Sequence, residues 1–153
     1  MATISYTINR LSADFFKDYN SIDFPEIENK HNRPYMVLVI KIENNIFALP
    51  LRTNIRHNYG YKFKNSDRET ASSTGIDYTK AIIINDQKYI GEQTFINSSE
   101  YIEIDRNKNS IVCGFKRYLE GYIEYFRNGG SSYTTKRYQY TTLQYFHAEL
   151  GLE

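Results

Sequence analysis

A single cysteine, no tryptophan and only three prolines mark this chain of 153 residues. With Cys113 alone no internal disulfide can form, and a lone thiol suits a reducing compartment. The opening stretch MATISYTINRLSADFF has no long apolar core, so no secretory signal is expected. No run approaches the roughly 18 apolar residues of a membrane-spanning helix. A soluble cytoplasmic protein is the expectation. A glycine-rich phosphate loop, HExxH, GxSxG and paired CxxC are also missing, which removes the standard local signatures of nucleotide, zinc-protease, hydrolase and thiol chemistry. His31, His57 and His147 are too far apart for any local zinc-ligand spacing, and no metal or cofactor is expected. Internal repeats, heptad arrays and low-complexity tracts are likewise lacking.

What is present fits one globular domain over residues 1–153. Hydrophobic residues make up 41% and charged residues 24%, enough apolar material for a core at this length. The formal net charge is only +1, so the whole-molecule field selects no partner. Its distribution is uneven. Between residues 30 and 64, Lys30, Arg33, Lys41, Arg52, Arg56, Lys62 and Lys64 face Glu43 alone, a local charge of +6. A second acid-free window, Arg127 to Tyr140, holds Lys136 and Arg137.

TISYTI alternates as a first strand, and Ser12 is placed to cap a short helix presenting Phe15, Phe16 and Tyr19. YMVLVIKIE (Tyr35 to Glu43) and IFALPLR (Ile46 to Arg52) read as a hairpin turning at Asn44 and Asn45, since Asn tolerates positive φ. Pro50 cannot donate to a ladder and is expected at an edge or where pairing ends. Residues 53–78 read as irregular, KAIIIND (Lys80 to Asp86) as a buried strand and QKYIGEQTFI as its short partner. SSEYIEIDR fits strand or irregular structure. The clearest helix begins at Asn109 or Ser110, carries Ile111, Phe115, Tyr118, Leu119, Tyr122, Ile123 and Phe126 on one stripe, and ends at Gly129 and Gly130. A flexible connector and a last helix from Thr141 or Thr142 follow. Strands first and helices last predict an α+β fold with a mainly antiparallel sheet.

The segment FALPLRTNIRHNYGYKFK raises the functional question. Arg52, Thr53, Arg56 and His57 directly follow the hairpin, where a rigid strand end can hold charged groups in place. Guanidinium groups bind phosphate bidentately and stay protonated. They stabilise a charged phosphorane-like state, while an imidazole exchanges protons near neutral pH. That set suits RNA cleavage by the substrate's own 2′-hydroxyl, which needs neither metal nor protein nucleophile. The plainer reading is a solvated or phosphate-contacting surface. His147 reads as a core or interface histidine, and Cys113 as a packing residue beside the helix stripe. Asp77 and Tyr78, with Ser72, Ser73 and Thr74, read as turn formers, although Asp77 and Tyr78 are also within chain reach of a site.

The order YTINRLSADFFKDY, NRPYMVLVIKIENNIFALPLRTNIRHN, GIDYTKAIIIND and YTTLQYFHAELGL resembles the ToxN/AbiQ-like toxins of type III toxin–antitoxin systems, most closely their CptN/TenpN branch. The resemblance implies a strongly twisted antiparallel sheet packed with helices, similar to the Kid/MazF-like toxins. It implies a metal-independent endoribonuclease leaving a 2′,3′-cyclic phosphate and a 5′-hydroxyl. It further implies inhibition by a small repetitive pseudoknotted antitoxin RNA that the enzyme processes, in a closed protein–RNA assembly, with cellular mRNA as target. ToxN-like sites place a hydroxyl pair and a lysine after the PL strand end and a lysine before the hairpin. Here those positions hold Arg52, Thr53, the Arg56–His57 turn and Arg33, which favours arginine for charge stabilisation and His57 for proton transfer. Arg33, Tyr59, Tyr61, Lys62, Lys64, Ser72, Ser73, Lys136 and Arg137 are the expected RNA contacts, with Tyr59 and Tyr61 stacking on unpaired bases. The alternatives are a non-catalytic RNA-binding module and a protein-interaction domain.

Overall fold

The structure, a computed structural model, describes residues 5–27, 36–64, 74–129 and 135–152. Among the described residues the elements run β1 (Tyr6–Leu11), α1 (Ala13–Asp18), β2 (Met36–Ile42), β3 (Asn45–Arg52), β4 (Gly60–Lys62), β5 (Gly75–Asp77), β6 (Ile82–Ile83), β7 (Ile90–Gln93), α2 (Ser98–Arg127) and α3 (Thr135–Tyr138). Short 3₁₀ turns cover Tyr78–Lys80, Gln87–Tyr89 and Thr142–Tyr145. The strands form one antiparallel sheet in the order β4-β5-β3-β2-β1-β7, with β6 also on β3. The fold is therefore α+β, as expected.

The hairpin β2–β3 is its spine, running in register from Ile42↔Asn45 to Val37↔Pro50. The turn is Glu43-Asn44, and the residue at positive φ is Glu43 (55°) rather than either asparagine. Asn45 is already in the strand, where its amide donates to the Glu149 carbonyl. Phe47, Ala48, Leu49 and Pro50 are buried in succession, so both faces of β3 are covered. On the edge away from β2, β3 first pairs β6 (Ala48↔Ile82) and then β5 (Leu51↔Ile76). Pro50 falls in the interval between those two partners, where the missing N–H interrupts neither pairing.

Several expected boundaries move. β1 starts at Tyr6 and continues to Leu11, and the first residues of TISYTI lie outside the described segments. Ser12 is the N-cap of α1, but its hydroxyl donates to the Lys88 carbonyl (2.5 Å) instead of accepting from the helix. The stretch read as irregular contains β4 and β5. KAIIIND supplies only the two-residue β6 after a 3₁₀ turn, and β7 pairs β1 rather than β6. The last helix is a 3₁₀ turn followed by turns, and part of the flexible connector is α3.

The largest change is α2, which begins at Ser98 under an Asn97 cap whose side chain accepts from the Ser99 N–H (3.0 Å). SSEYIEIDR is thus helical. Asn107 breaks the regular backbone (φ −115°, ψ 16°) while its amide donates to the Glu103 carbonyl (2.8 Å). Asn109 and Ser110 lie just beyond this kink and do not start the helix. At the other end Asn128 is the C-cap and Gly129 takes φ +76°.

Ile104, Ile111, Val112, Phe115, Tyr118, Leu119 and Tyr122 of α2 are buried, and Phe115 meets Phe47 edge-on with ring centres 5.1 Å apart. Burying such a ring contributes roughly 1.5–3 kcal/mol. Cys113, next to this stripe, is exposed and so is not a packing residue. Buried Glu103 ties α2 to the sheet end, accepting from the Tyr61 hydroxyl (2.7 Å) and the Lys64 N–H (2.9 Å). Among the described residues no helix is long and apolar enough to cross a membrane.

Candidate functional site

The sheet end at β4, β5 and the exit of β3 gathers the chemistry. β5 lies between β3 and β4 through Arg52↔Gly75 and Gly60↔Asp77, and all three of its residues are buried. Such close strands demand glycine at Gly60, where a Cβ would sit 2.3 Å from the Ile76 carbonyl oxygen. The chain leaves β3 through Thr53 and Asn54, the latter at φ +62°. Ile55 then buries itself at 3% exposure. That anchor sets an alternation that turns Arg56 outward and His57 inward.

Asp77 is the organiser. Its carboxylate has no exposed surface, and burial of that charge is tolerated because every side is met by a donor. Arg52 Nη1 donates to Oδ2 at 2.7 Å. Oδ1 accepts from the Thr79 N–H (2.9 Å) and the Thr79 hydroxyl (2.6 Å), capping the following 3₁₀ turn. His57 Nε2 lies 3.2 Å from the same oxygen and 3.5 Å from the Thr79 hydroxyl.

His57 is held from both sides. Its Nδ1 accepts the Tyr59 backbone N–H at 3.0 Å. In the neutral ring the proton therefore sits on Nε2 and points at Asp77. The imidazole also stacks on the Tyr59 ring, centres 5.5 Å apart and planes 20° apart. The Arg137 guanidinium lies 5.6 Å from the centre of the same ring, a cation–π distance.

Beside this group opens a cavity of about 500 Å³. Gly60 and Tyr61 of β4, Tyr59 just ahead of it, Tyr78, and Gly114 and Arg117 from α2 line it, with Arg137 of α3. No carboxylate is among its lining residues. Burial raises the Tyr78 phenol above its ordinary value, and the Arg117 guanidinium counteracts part of that rise, so Arg117's charge is felt at this wall. Tyr78 donates its hydroxyl to the Ile111 carbonyl (2.7 Å).

Of the four residues expected to carry chemistry, Arg52 and His57 are brought together, through Asp77. Thr53 is half-buried and Arg56 exposed, and among the described residues neither forms a hydrogen bond or ion pair. The hydrogen-bonded group thus contains two of the four. Tyr59 and Tyr61 line the cavity, but neither ring is an open platform. Tyr59 carries His57 and Arg137, while Tyr61 is tied to Glu103 and meets Phe63 edge-on at 6.1 Å. Lys62 is in β4 and Lys64 follows it, and neither lines the cavity. Arg33, Ser72 and Ser73 lie outside the described residues, and Lys136 is placed only as part of α3.

Sequence reasoning named Asp77 as within reach of a site without giving it a role, and passed over Arg117. GIDYT did carry a signal for the first, a lone acid ahead of an apolar run and two residues before a threonine able to donate back to it. Arg117 lies beside the apolar stripe of α2, where one exposed cation resembles any other. His147 matches its sequence reading, packed 4.2 Å from Phe126 and bonded to the Tyr122 hydroxyl at 2.6 Å. Among the described residues no cluster of three or more His, Cys, Asp or Glu side chains is placed to hold a metal ion. No family model, curated protein or solved structure matches the chain.

Proposed function

We propose that the Arg52–Asp77–His57 group is the catalytic centre of a metal-independent endoribonuclease, and that the chain is a cytoplasmic toxin restrained by a small repetitive pseudoknot RNA. The observation that carries the chemical part is the sharing of one buried carboxylate by a guanidinium and an imidazole beside an acid-free, arginine-flanked cavity. The toxin role, the antitoxin RNA in a closed assembly and a Kid/MazF-like core rest on the family resemblance of the sequence.

In this reading Asp77 orients the imidazole through Nε2–H and leaves the Nδ1 lone pair as proton acceptor once the Tyr59 N–H contact yields to substrate. The ribose 2′-O–H bond breaks and its proton passes to Nδ1. The 2′-oxygen bonds phosphorus, the bond from phosphorus to the 5′-oxygen breaks, and the imidazolium returns the proton to that leaving oxygen. A 2′,3′-cyclic phosphate and a 5′-hydroxyl result. Arg52, a quarter of whose side chain is exposed, stabilises the phosphorane charge while Asp77 fixes its direction. Thr53 hydrogen-bonds a phosphate oxygen, and Arg56, with Arg33, Lys62, Lys64 and Lys136, draws the strand in electrostatically.

One observation favours a second reading, a non-catalytic RNA-binding surface: both nitrogens of His57 are already engaged. Incubating the purified protein with repeat-containing precursor RNA in EDTA separates the two. Cyclic-phosphate ends, absent when the substrate carries 2′-deoxyribose at the cut, are expected. RNA that is bound tightly and stays whole leaves only the binding module.

A further inference from the structure

We propose that the cavity between β4 and α2 is a second nucleotide site, in which Arg117 and Arg137 hold the phosphate of a residue adjoining the one at Asp77. The inference rests on RNA being the ligand of this face and adds a subsite with a residue, Arg117, that sequence patterns did not select.

Four features of the cavity define its ligand. Its volume, about 500 Å³, is within the range of small-molecule sites, roughly 300–1,000 Å³. Its lining holds two guanidiniums and no carboxylate, so its field favours an anion. The groups between the arginines are aromatic or neutral polar: Tyr59, Tyr61 and Tyr118, with Asn58 and Ser110 able to meet base edges. An inorganic anion would leave the neutral polar lining unused, whereas a nucleotide meets the arginines with its phosphate and Asn58 and Ser110 with its base edge. The cavity also shares its wall with the Asp77 centre. Gly60 lines it and is the strand partner of Asp77, and Tyr59 lines it while its N–H holds His57. This shared wall is what makes a nucleotide held here a neighbour of the one at the Asp77 centre.

Arg117 belongs to α2 and Arg137 to α3, so the subsite spans two separate elements. Arg117 is exposed and among the described residues forms no ion pair, which makes its removal a test of binding rather than of folding.

The experiment is equilibrium binding of a labelled single-stranded RNA with 2′-methoxy riboses, which cannot be cleaved, to the full chain and to Arg117→Gln. Kd should rise about tenfold, the equivalent of one charged contact. The slope of log K against log salt should shrink by about 0.7, the value for one phosphate contact on a single strand. Ser110→Glu, which sets a carboxylate at the rim, should weaken binding in the same direction. Wild-type affinity and slope in both variants overturn the subsite. A parallel titration with AMP, followed through the tyrosine resonances, distinguishes a chain from a free nucleotide. AMP that binds but is not displaced by the RNA overturns the adjoining-nucleotide assignment. Binding sensitive to Arg117 in a protein that cuts nothing leaves the subsite standing and sinks the nuclease reading. Cleavage with binding indifferent to Arg117 does the reverse.

Discussion

The two described histidines occupy opposite kinds of environment. His57 stands 3.2 Å from a buried carboxylate that also holds Arg52, and stacks on Tyr59 of the cationic cavity's wall. His147 sits among rings, 4.2 Å from Phe126 and 5.7 Å from Tyr122, with the Tyr122 hydroxyl as its hydrogen-bond partner. Both are half-buried and both accept stacking, so neither burial nor aromatic neighbours separates them. The difference lies in the acid. A carboxylate fixes the tautomer and stabilises the imidazolium, which a proton-transfer group requires. A phenol and a benzyl ring supply shape and a single polar contact, which a packing residue requires.

The sharpest way to break the contrast is to remove its cause. Asp77→Ala strips Arg52, His57 and Thr79 of their common acceptor. It should cost roughly 3 kcal/mol in denaturant unfolding, the lower end for a broken buried pair because Arg52 is partly exposed. RNA cleavage should vanish with it. Next, His57→Ala should slow cleavage about 10²- to 10⁴-fold with little change in stability. His147→Ala, measured beside it, should cleave at the parental rate and instead lower the melting temperature. Equal kinetic losses in the two histidine variants would erase the distinction. Gly60→Ala drives a Cβ into the Ile76 carbonyl at 2.3 Å and should destabilise the chain by about 1–3 kcal/mol. It should also loosen β4 and with it Tyr59's hold on His57.

The smallest effect concerns the His147 side. Burial pushes the Tyr122 phenol up to about 12 from an ordinary value near 10. The folded state thus holds that proton more tightly than the unfolded chain does. Its contribution is complete below about pH 10 and is lost as pH climbs through 12. Melting temperatures should be level up to pH 10 and fall beyond it, with a shallower fall in Tyr122→Phe. Tyr145, raised to about 12 by burial and by its bond to Glu26, supplies part of the remaining slope.

The features legible in the sequence were local ones. A β-rich run, two turn residues and a returning run give β2 and β3 because a hairpin is specified by neighbours. The apolar stripe from Ile111 to Tyr122 is visible for the same reason. The start of α2 is not, because Asn109 and Ser110 imitate a cap while the helix passes through a kink stabilised by Asn107's own amide. The candidate site divides along the same line. Arg52 and His57 are visible as charge at a strand exit. Their convergence is not, since it depends on Asp77, 25 positions from Arg52, arriving through a three-residue strand too short to announce itself. The exposure of Arg56 is not legible either, since charge pattern ignores the buried Ile55 beside it.

The account depends on Asp77, Arg52 and His57 working as a unit. Single-turnover cleavage by Asp77→Asn, by His57→Ala and by the double variant tests this directly. Groups that act together lose their effect once, so the double variant should be no slower than the slower of the two single variants. Losses that multiply, or an Asp77→Asn protein that cuts RNA at the parental rate, would contradict it.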